Sequence, residues 1–465
     1  MYEELLKLCG FEAEEIEKER PRIDKAFKIA EICPEDIKRG ENRIKEYFDI
    51  ELLGVRKVLG MWMKQFIDLM LCREERKYVF YACYPAINRL MLAMNLISKD
   101  MYCASPELIF DMVMGQIFDK LGHILVAAEE NGLPPGLGMC SLNQARLGGI
   151  VKGIVPKPDA LLSWDLLCDQ TPKLDEFMHE VYGVPVIYVD NCLDSVREEY
   201  PEISPERVSY LAGDISMALE EIQRLSGAEI TEEVLHTARV ETAKLWYGTI
   251  QLLELMKTDP VPLSCVDLMM LCYLIISPER RVLNEGLTTI NTLLKEAKER
   301  VDQGKGKGEK GNPRIALFGD QASDPSILRM IENSGLTITS TFLIWVPPQE
   351  MAKSKFKFTT FEEKVAQNQL RTGIYHGIGG CVSKIKALCE SFNADGLVHL
   401  YPFSCRPLTI SALIVKKVIE EELNIPVLVL EGDWWDTRDY SAEALRTRVE
   451  TFAEMLRMNK AAKAA

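Results

Sequence analysis

Apolar positions along this chain follow two rhythms. From residue 1 to about 75 they recur at helical spacing. In Arg43-Ile44-Lys45-Glu46-Tyr47-Phe48, residues Ile44, Tyr47 and Phe48 share one face, and Val58-Leu59-Gly60-Met61-Trp62 reads the same way. Pro34 and Gly40 punctuate these helices. From Lys77 onward, short apolar runs alternate with helical stretches. Lys77 to Cys83 reads as a strand, and a helix runs on through Met91 to Met94. Residues 107–131 read as one amphipathic helix closed by Asn131-Gly132. A Pro/Gly loop then reaches Cys140, a helix covers Ser141 to about Gly149, and a strand ends at Cys168. A helix from about Pro172 to Tyr182 and a buried strand from Val184 to Asp190 complete the pattern. Strands alternating with helices predict βαβ units and a parallel sheet.

Residues 204–300 return to helical spacing, with breaks near Gly227, Pro260 to Pro262 and Pro278. Gly304 to Gly311 reads as a flexible, solvated linker. It resembles a phosphate loop only superficially, because Asn312-Pro313 stands where Lys-Ser/Thr would open a helix. A second α/β unit begins at Arg314. It has a strand from Ile315 to Asp320, a helix from Ser326 to Asn333 and a strand from Leu336 to Val346. A helix from Ser383 to Phe392 and a strand running to Cys405 follow. Pro407 suits the first turn of the next helix, where its missing N–H costs nothing. Ile425 to Leu430 is a further strand, and Ala442 to Met458 the closing helix. The expected organisation is a helical extension (1–75), a first α/β domain (76–203), a helical region (204–303), a Gly/Lys linker (304–312) and a second α/β domain (313–465).

Charge narrows the function. The 465 residues carry 55 basic against 70 acidic side chains, a net charge of −15, which argues against a nucleic-acid surface. No apolar run approaches the roughly 18 residues of a membrane span. The start Met1-Tyr2-Glu3-Glu4 does not read as a secretory signal, so a cytoplasmic location is expected, with no nucleic-acid and no membrane partner. Thirteen cysteines, an odd count in a large chain, do not suggest a disulfide framework.

Three of those cysteines share a local grammar. Cys140, Cys168 and Cys405 each read as standing on a strand-to-helix turn, at the carboxyl end of a strand and just before a helix. Ligands of an open parallel sheet gather beyond the carboxyl ends of its strands, and a helix N-terminus favours thiolate, the form that iron binds. No Cys-x-x-Cys pair exists, so any site must be assembled in three dimensions. The expectation is one iron–sulfur cluster on these three thiolates. Cys83, Cys192 and Cys381 stand in reserve, and the others, such as Cys265, read as core filler.

Four segments carry a family resemblance. They are Cys140-Ser141 with Leu147-Gly148; Cys168-Asp169 with Lys173; Ala394-Asp395-Gly396 with Cys405; and Ile425-Pro426-Val427 through Glu431-Gly432-Asp433, continuing past Arg446, Phe452 and Leu456. With these, the chain resembles the iron–sulfur subunits of the 2-hydroxyacyl-CoA dehydratase and benzoyl-CoA reductase family, over roughly residues 77–200 and 313–458. The resemblance implies two flavodoxin-like parallel-sheet domains with helical additions and a [4Fe–4S] cluster on Cys140, Cys168 and Cys405. It also implies a homologous second subunit, an acyl-CoA substrate and a separate ATP-dependent iron–sulfur activator that delivers one electron; a flavin elsewhere in the complex is a further expectation. The activity implied is removal of water from an (R)-2-hydroxyacyl-CoA through a ketyl radical. The apolar Phe342 to Pro348 departs from the more polar turn expected there, which leaves the substrate open.

Further candidates rest on position. His376, in Tyr375-His376-Gly377-Ile378-Gly379-Gly380, and Glu431 at a strand end are acid–base candidates. Tyr81, Tyr84, Ser141, Gly377 and Gly379 are candidates for contact with cofactor or CoA. His399, inside a strand, reads as a hydrogen-bonded core residue. Reductive dearomatisation of an aryl-CoA, an electron-relay subunit without substrate contact, and a cluster-free α/β protein remain alternative readings.

Overall fold

A computed structural model describes residues 1–464 apart from 83–87, 135–138, 166–168, 191, 193–198, 277–278, 320–323, 343–344, 348–350, 352, 373–376, 433–435 and 439–440. Four helices come first: α1 (Glu3–Leu8), α2 (Ala13–Ile29), α3 (Pro34–Tyr47) and α4 (Leu53–Glu75). The first sheet follows, with β1 (Tyr78–Ala82), α5 (Asn88–Ile97), β2 (Met101–Ala104), α6 (Pro106–Phe110), α7 (Gly122–Glu130), α8 (Ser141–Val151), β3 (Ala160–Trp164), α9 (Gln170–Tyr182) and β4 (Val186–Val189). Next come α10 (Pro205–Ser226), α11 (Glu232–Leu255), α12 (Cys265–Ile276) and α13 (Arg280–Asp302). The second sheet is built from β5 (Arg314–Phe318), α14 (Ser326–Asn333), β6 (Thr337–Thr341), α15 (Phe361–Leu370), α16 (Ile378–Ser391), β7 (Gly396–Tyr401), α17 (Arg406–Leu423), β8 (Val427–Glu431) and α18 (Ala442–Ala464).

Both sheets are parallel and have one wiring, β2-β1-β3-β4 and β6-β5-β7-β8. The two-domain α/β class expected from the sequence is therefore what the chain adopts. In each sheet the central strands are buried on both faces, as parallel strands covered by helices must be. The order reverses between the first and third strands of each sheet. That opens the crevice beyond the carboxyl ends of β1 and β3, and of β5 and β7, where such sheets take ligands.

The two helical regions, separated in sequence by a whole sheet, pack on each other. α4 buries most of its length against α12 and α13, and Trp62 donates its indole N–H to the Met270 carbonyl (3.0 Å). The backbones approach so closely at Gly54 that a Cβ there would sit 2.6 Å from the Cβ of Leu293. Asp49, buried before α4, accepts from Arg300 (2.6 Å) and from Lys307 (2.8 Å). Lys307 also donates its backbone N–H to Val261 (2.7 Å), so the Gly/Lys stretch, expected to be flexible, is pinned at its middle.

Several expectations need correction. Residues 107–131 are not one amphipathic helix: α6 widens into a π-helical stretch at Asp111–Ile117, the chain breaks at Asp119 in the left-handed region (φ 49°), and α7 restarts. Residues 106–118 are buried all round, so no polar face could mark the helix period. The short strand β2 and helix α15 were not anticipated. Of the expected strand from Leu336 to Val346, the described residues form a strand at Thr337–Thr341, and α16 starts at Ile378 rather than Ser383. β4 alternates rather than being buried throughout, with Tyr188 exposed, because it is an edge strand. Finally, α15 packs on α10, and Phe361, Val365, Ala366 and Leu370 join the core of the first sheet rather than their own.

Candidate functional site

Two of the three singled-out cysteines are described, and both cap helices. Cys405 follows β7 by a tight turn in which its N–H donates to Pro402 (2.9 Å), and it is the N-cap of α17, with Pro407 in the first turn. Cys140 is the N-cap of α8. Each is half-buried and neither is in a disulfide. The unmade amides and the dipole at these helix starts favour a negative sulfur. One part of the grammar read from sequence is wrong. Cys140 follows α7, not a strand, and no described residue between α7 and α8 is in one. Cys168 lies outside the described residues; Asp169, next to it, is the N-cap of α9.

Side chains at the start of α9 draw these turns together. Gln170, 1% exposed, accepts the Cys140 N–H on Oε1 (2.8 Å) and donates from Nε2 to the Ser404 carbonyl (2.8 Å). Asp169 pairs with Arg406 at 2.5 Å. Residues adjoining Cys168 and Cys405 thus touch across the two sheets, and the same helix start holds the Cys140 backbone. Behind this, Arg146 of α8 and Asp175 of α9 form a buried ion pair at 2.5 Å. Burial pushes the Asp175 carboxyl up, and the Arg146 charge opposes that rise. Among the described residues no group of three His, Cys, Asp or Glu side chains is arranged to hold a metal. The described donors fit an iron–sulfur group in type, being two thiols at converging helix starts, with the third position immediately before Asp169.

The other candidates are dispersed. Ser141, first residue of α8, is buried beside Cys140. Glu431 ends β8 and accepts from the Tyr401 hydroxyl (2.6 Å). Burial, then that carboxylate, pushes the Tyr401 phenol up to about 12. Gly377 is the N-cap of α16 and Gly379 lies in its first turn; both line an open cleft of about 490 Å³ with Val382 and Ile414. α8 and α16 hold corresponding places before the third strand of their sheets, so Gly377 begins the helix that Cys140 begins in the first sheet. Tyr81 corrects an expectation: it is wholly buried, its hydroxyl donates to the Pro156 carbonyl (2.8 Å) and it lies 3.7 Å from the Cys72 sulfur, so it packs rather than facing a ligand. His376 and Tyr84 lie outside the described residues.

His399 is in the core, as expected, but is not hydrogen-bonded there. Neither ring nitrogen has a partner among the described residues, and the ring lies 4.2 Å from that of Phe318. Burial pushes the imidazole down to about 3. Sequence reasoning missed Gln170, whose partner Ser404 is 234 residues away. It also missed Glu107 and Asp111, buried carboxylates one helical turn apart just beyond the end of β2. Their signal was available: they are the only acids in the apolar run from Met101 to Phe118.

Comparison with known proteins gives one family. Residues 88–456 match the family described as 2-hydroxyglutaryl-CoA dehydratase, D-component. The α subunit of (R)-2-hydroxyglutaryl-CoA dehydratase from Acidaminococcus fermentans is 22% identical over 316 residues, 66% of this chain and 62% of that relative. The α subunit of (R)-phenyllactyl-CoA dehydratase from Clostridium sporogenes is 23% identical over 323 residues, covering 66% and 73%. The α subunit of lactoyl-CoA dehydratase from Anaerotignum propionicum is 22% identical over 366 residues, covering 76% and 83%. Among the described residues no helix is long and apolar enough to cross a membrane.

Proposed function

Because this chain belongs to the 2-hydroxyglutaryl-CoA dehydratase D-component family, we propose that it is the iron–sulfur subunit of a two-subunit (R)-2-hydroxyacyl-CoA dehydratase. The net reaction removes the C2 hydroxyl and a C3 proton from a 2-hydroxyacyl thioester, leaving the 2-enoyl thioester and water. On this reading Cys140, Cys168 and Cys405 hold a [4Fe–4S] cluster. When bound, that group supplies a low-potential electron and one iron without a protein ligand.

The chain's own residues would do the rest. Cys140 and Cys405, at the N-termini of α8 and α17, would be the protein's sulfur ligands, placed where a helix dipole favours negative charge. Glu431, at the strand end nearest Tyr401, and His376 are the proposed proton acceptors. Ser141 and Tyr84 are proposed to contact the thioester. The cleft at Gly377 and Gly379, about 490 Å³, has the size of a small-molecule site and would take part of CoA. The partners on this reading are a homologous second subunit and an ATP-dependent iron–sulfur activator; relatives named α subunits support the first.

The observation that carries this reading is the tie between the start of α9 and the turns bearing Cys140 and Cys405. Its test is anaerobic purification with iron and sulfide analysis, followed by spectroscopy with and without 2-hydroxyacyl-CoA and aryl-CoA esters. Iron, acid-labile sulfide and a spectral change with the hydroxyacyl ester are expected. Colourless, iron-free protein after anaerobic reconstitution would end the proposal.

A further inference from the structure

We propose that Gln170 is the positioning residue that assembles the cysteine centre, by reading both lobes with one amide. The inference rests on the iron–sulfur reading above but stands on separate geometry. Gln170 is buried, and both ends of its side chain are used: Oε1 takes the N–H of Cys140, and Nε2 gives to the carbonyl of Ser404, the residue before Cys405. The orientation of the amide is set by its partners, because one end faces only a donor and the other only an acceptor. An ionised glutamate would keep the acceptor alone, and methionine keeps the shape alone.

Two consequences follow for the centre. The turns carrying Cys140 and Cys405 are held in one register to each other, and both to the helix that starts beside Cys168. The Cys140 N–H is also occupied, so it is withheld from any sulfur bound there, and N–H donors to cluster sulfurs are among the groups that set a cluster's potential. The exposed pair Asp169–Arg406, with side chains 62% and 47% accessible, adds a screened contact along the same seam. Gln170 is the dry one.

The test uses the full chain, reconstituted anaerobically with ferrous iron and sulfide. Iron per chain and the electron paramagnetic resonance spectrum are measured, together with amide hydrogen exchange in the turns 139–145 and 402–409. Gln170→Met is expected to bind at least several-fold less iron and to exchange faster in both turns. Gln170→Glu is expected to loosen only the 402–409 turn, since it still accepts from Cys140, and to shift the spectrum of whatever iron it holds. It also serves where Gln170→Met fails to fold. Wild-type iron, spectrum and exchange in both variants would overturn the proposal. So would loss of iron with exchange unchanged, or loosening of the Cys140 turn alone in Gln170→Glu. If the wild-type protein takes up no iron, yet Gln170→Met still loosens both turns, the positioning role holds and the iron–sulfur reading falls instead.

Discussion

Arg146 and Asp175 face each other at 2.5 Å with side chains 1% and 0% accessible, joining the helix that begins at Cys140 to the helix that begins beside Cys168. Removing one member of a buried pair strands the other's charge, which costs about 3–5 kcal/mol. Arg146→Met is therefore expected to lower the unfolding free energy by that amount in urea titrations. Arg146→Met combined with Asp175→Leu should recover most of it. Equal losses in the single and the double variant would show that the charge pair is not what matters.

Cys140→Ser and Cys405→Ser are each expected to lose most of the iron and the visible absorbance of the anaerobic protein. Cys265, wholly buried at the start of α12, should tolerate serine without loss of iron, despite some loss of stability. Metal analysis of the three variants side by side decides it, and the ligand choice is wrong if Cys265→Ser behaves like the other two.

His399 makes stability depend on pH. Burial holds its folded pKa down at about 3, against about 6.5 in an unfolded chain. Below about pH 6.5 the unfolded state binds a proton that the folded state refuses, so stability is full above that pH. It falls on acidification toward pH 3 by up to about 1.4 kcal/mol per pH unit. His399→Leu, which keeps the apolar contact with Phe318, should flatten that slope between pH 6 and 4.5 in denaturant melts. An unchanged slope would assign the acid sensitivity to other groups.

Asp49 ties two distant stretches together. Burial alone would raise its pKa, but hydrogen bonds from Arg300 and Lys307 outweigh that and hold it low. Asp49→Ala should cost about 1.5–3 kcal/mol, the usual worth of hydrogen bonds to a charged group. It should also release the Gly/Lys stretch, so trypsin should cut faster at Lys305, Lys307 and Lys310. An unchanged cleavage rate would mean that the bond from Lys307 N–H to Val261 pins the stretch unaided.

Local chemistry in the sequence went far toward the fold. Gly227, in the left-handed region, closes α10, and the rule for proline at helix starts places Pro407 in the first turn of α17. Apolar runs located β1, β3, β5, β7 and β8, because strands of a helix-covered parallel sheet are mostly apolar; Ser163 in β3 and His399 in β7 interrupt the runs without masking them, and β8, an edge strand, is only partly buried. The failures share one cause. β2 is only four residues long, α15 buries its apolar face against another lobe, and Lys307 meets Asp49 across more than 250 positions, so none of these leaves a local signature. The cysteine centre was half legible: the residue type and helix starts were there to read at Cys140 and Cys405. Their convergence depends on Gln170, an ordinary helix residue until its two partners are seen.

Phe361–Leu370 leaves its own sheet to complete the core of the other. The two lobes, for all their shared wiring, are consequently not separable parts. A gene cut at the Gly/Lys stretch would yield a first half with an uncovered hydrophobic wall and a second half carrying a stray greasy helix.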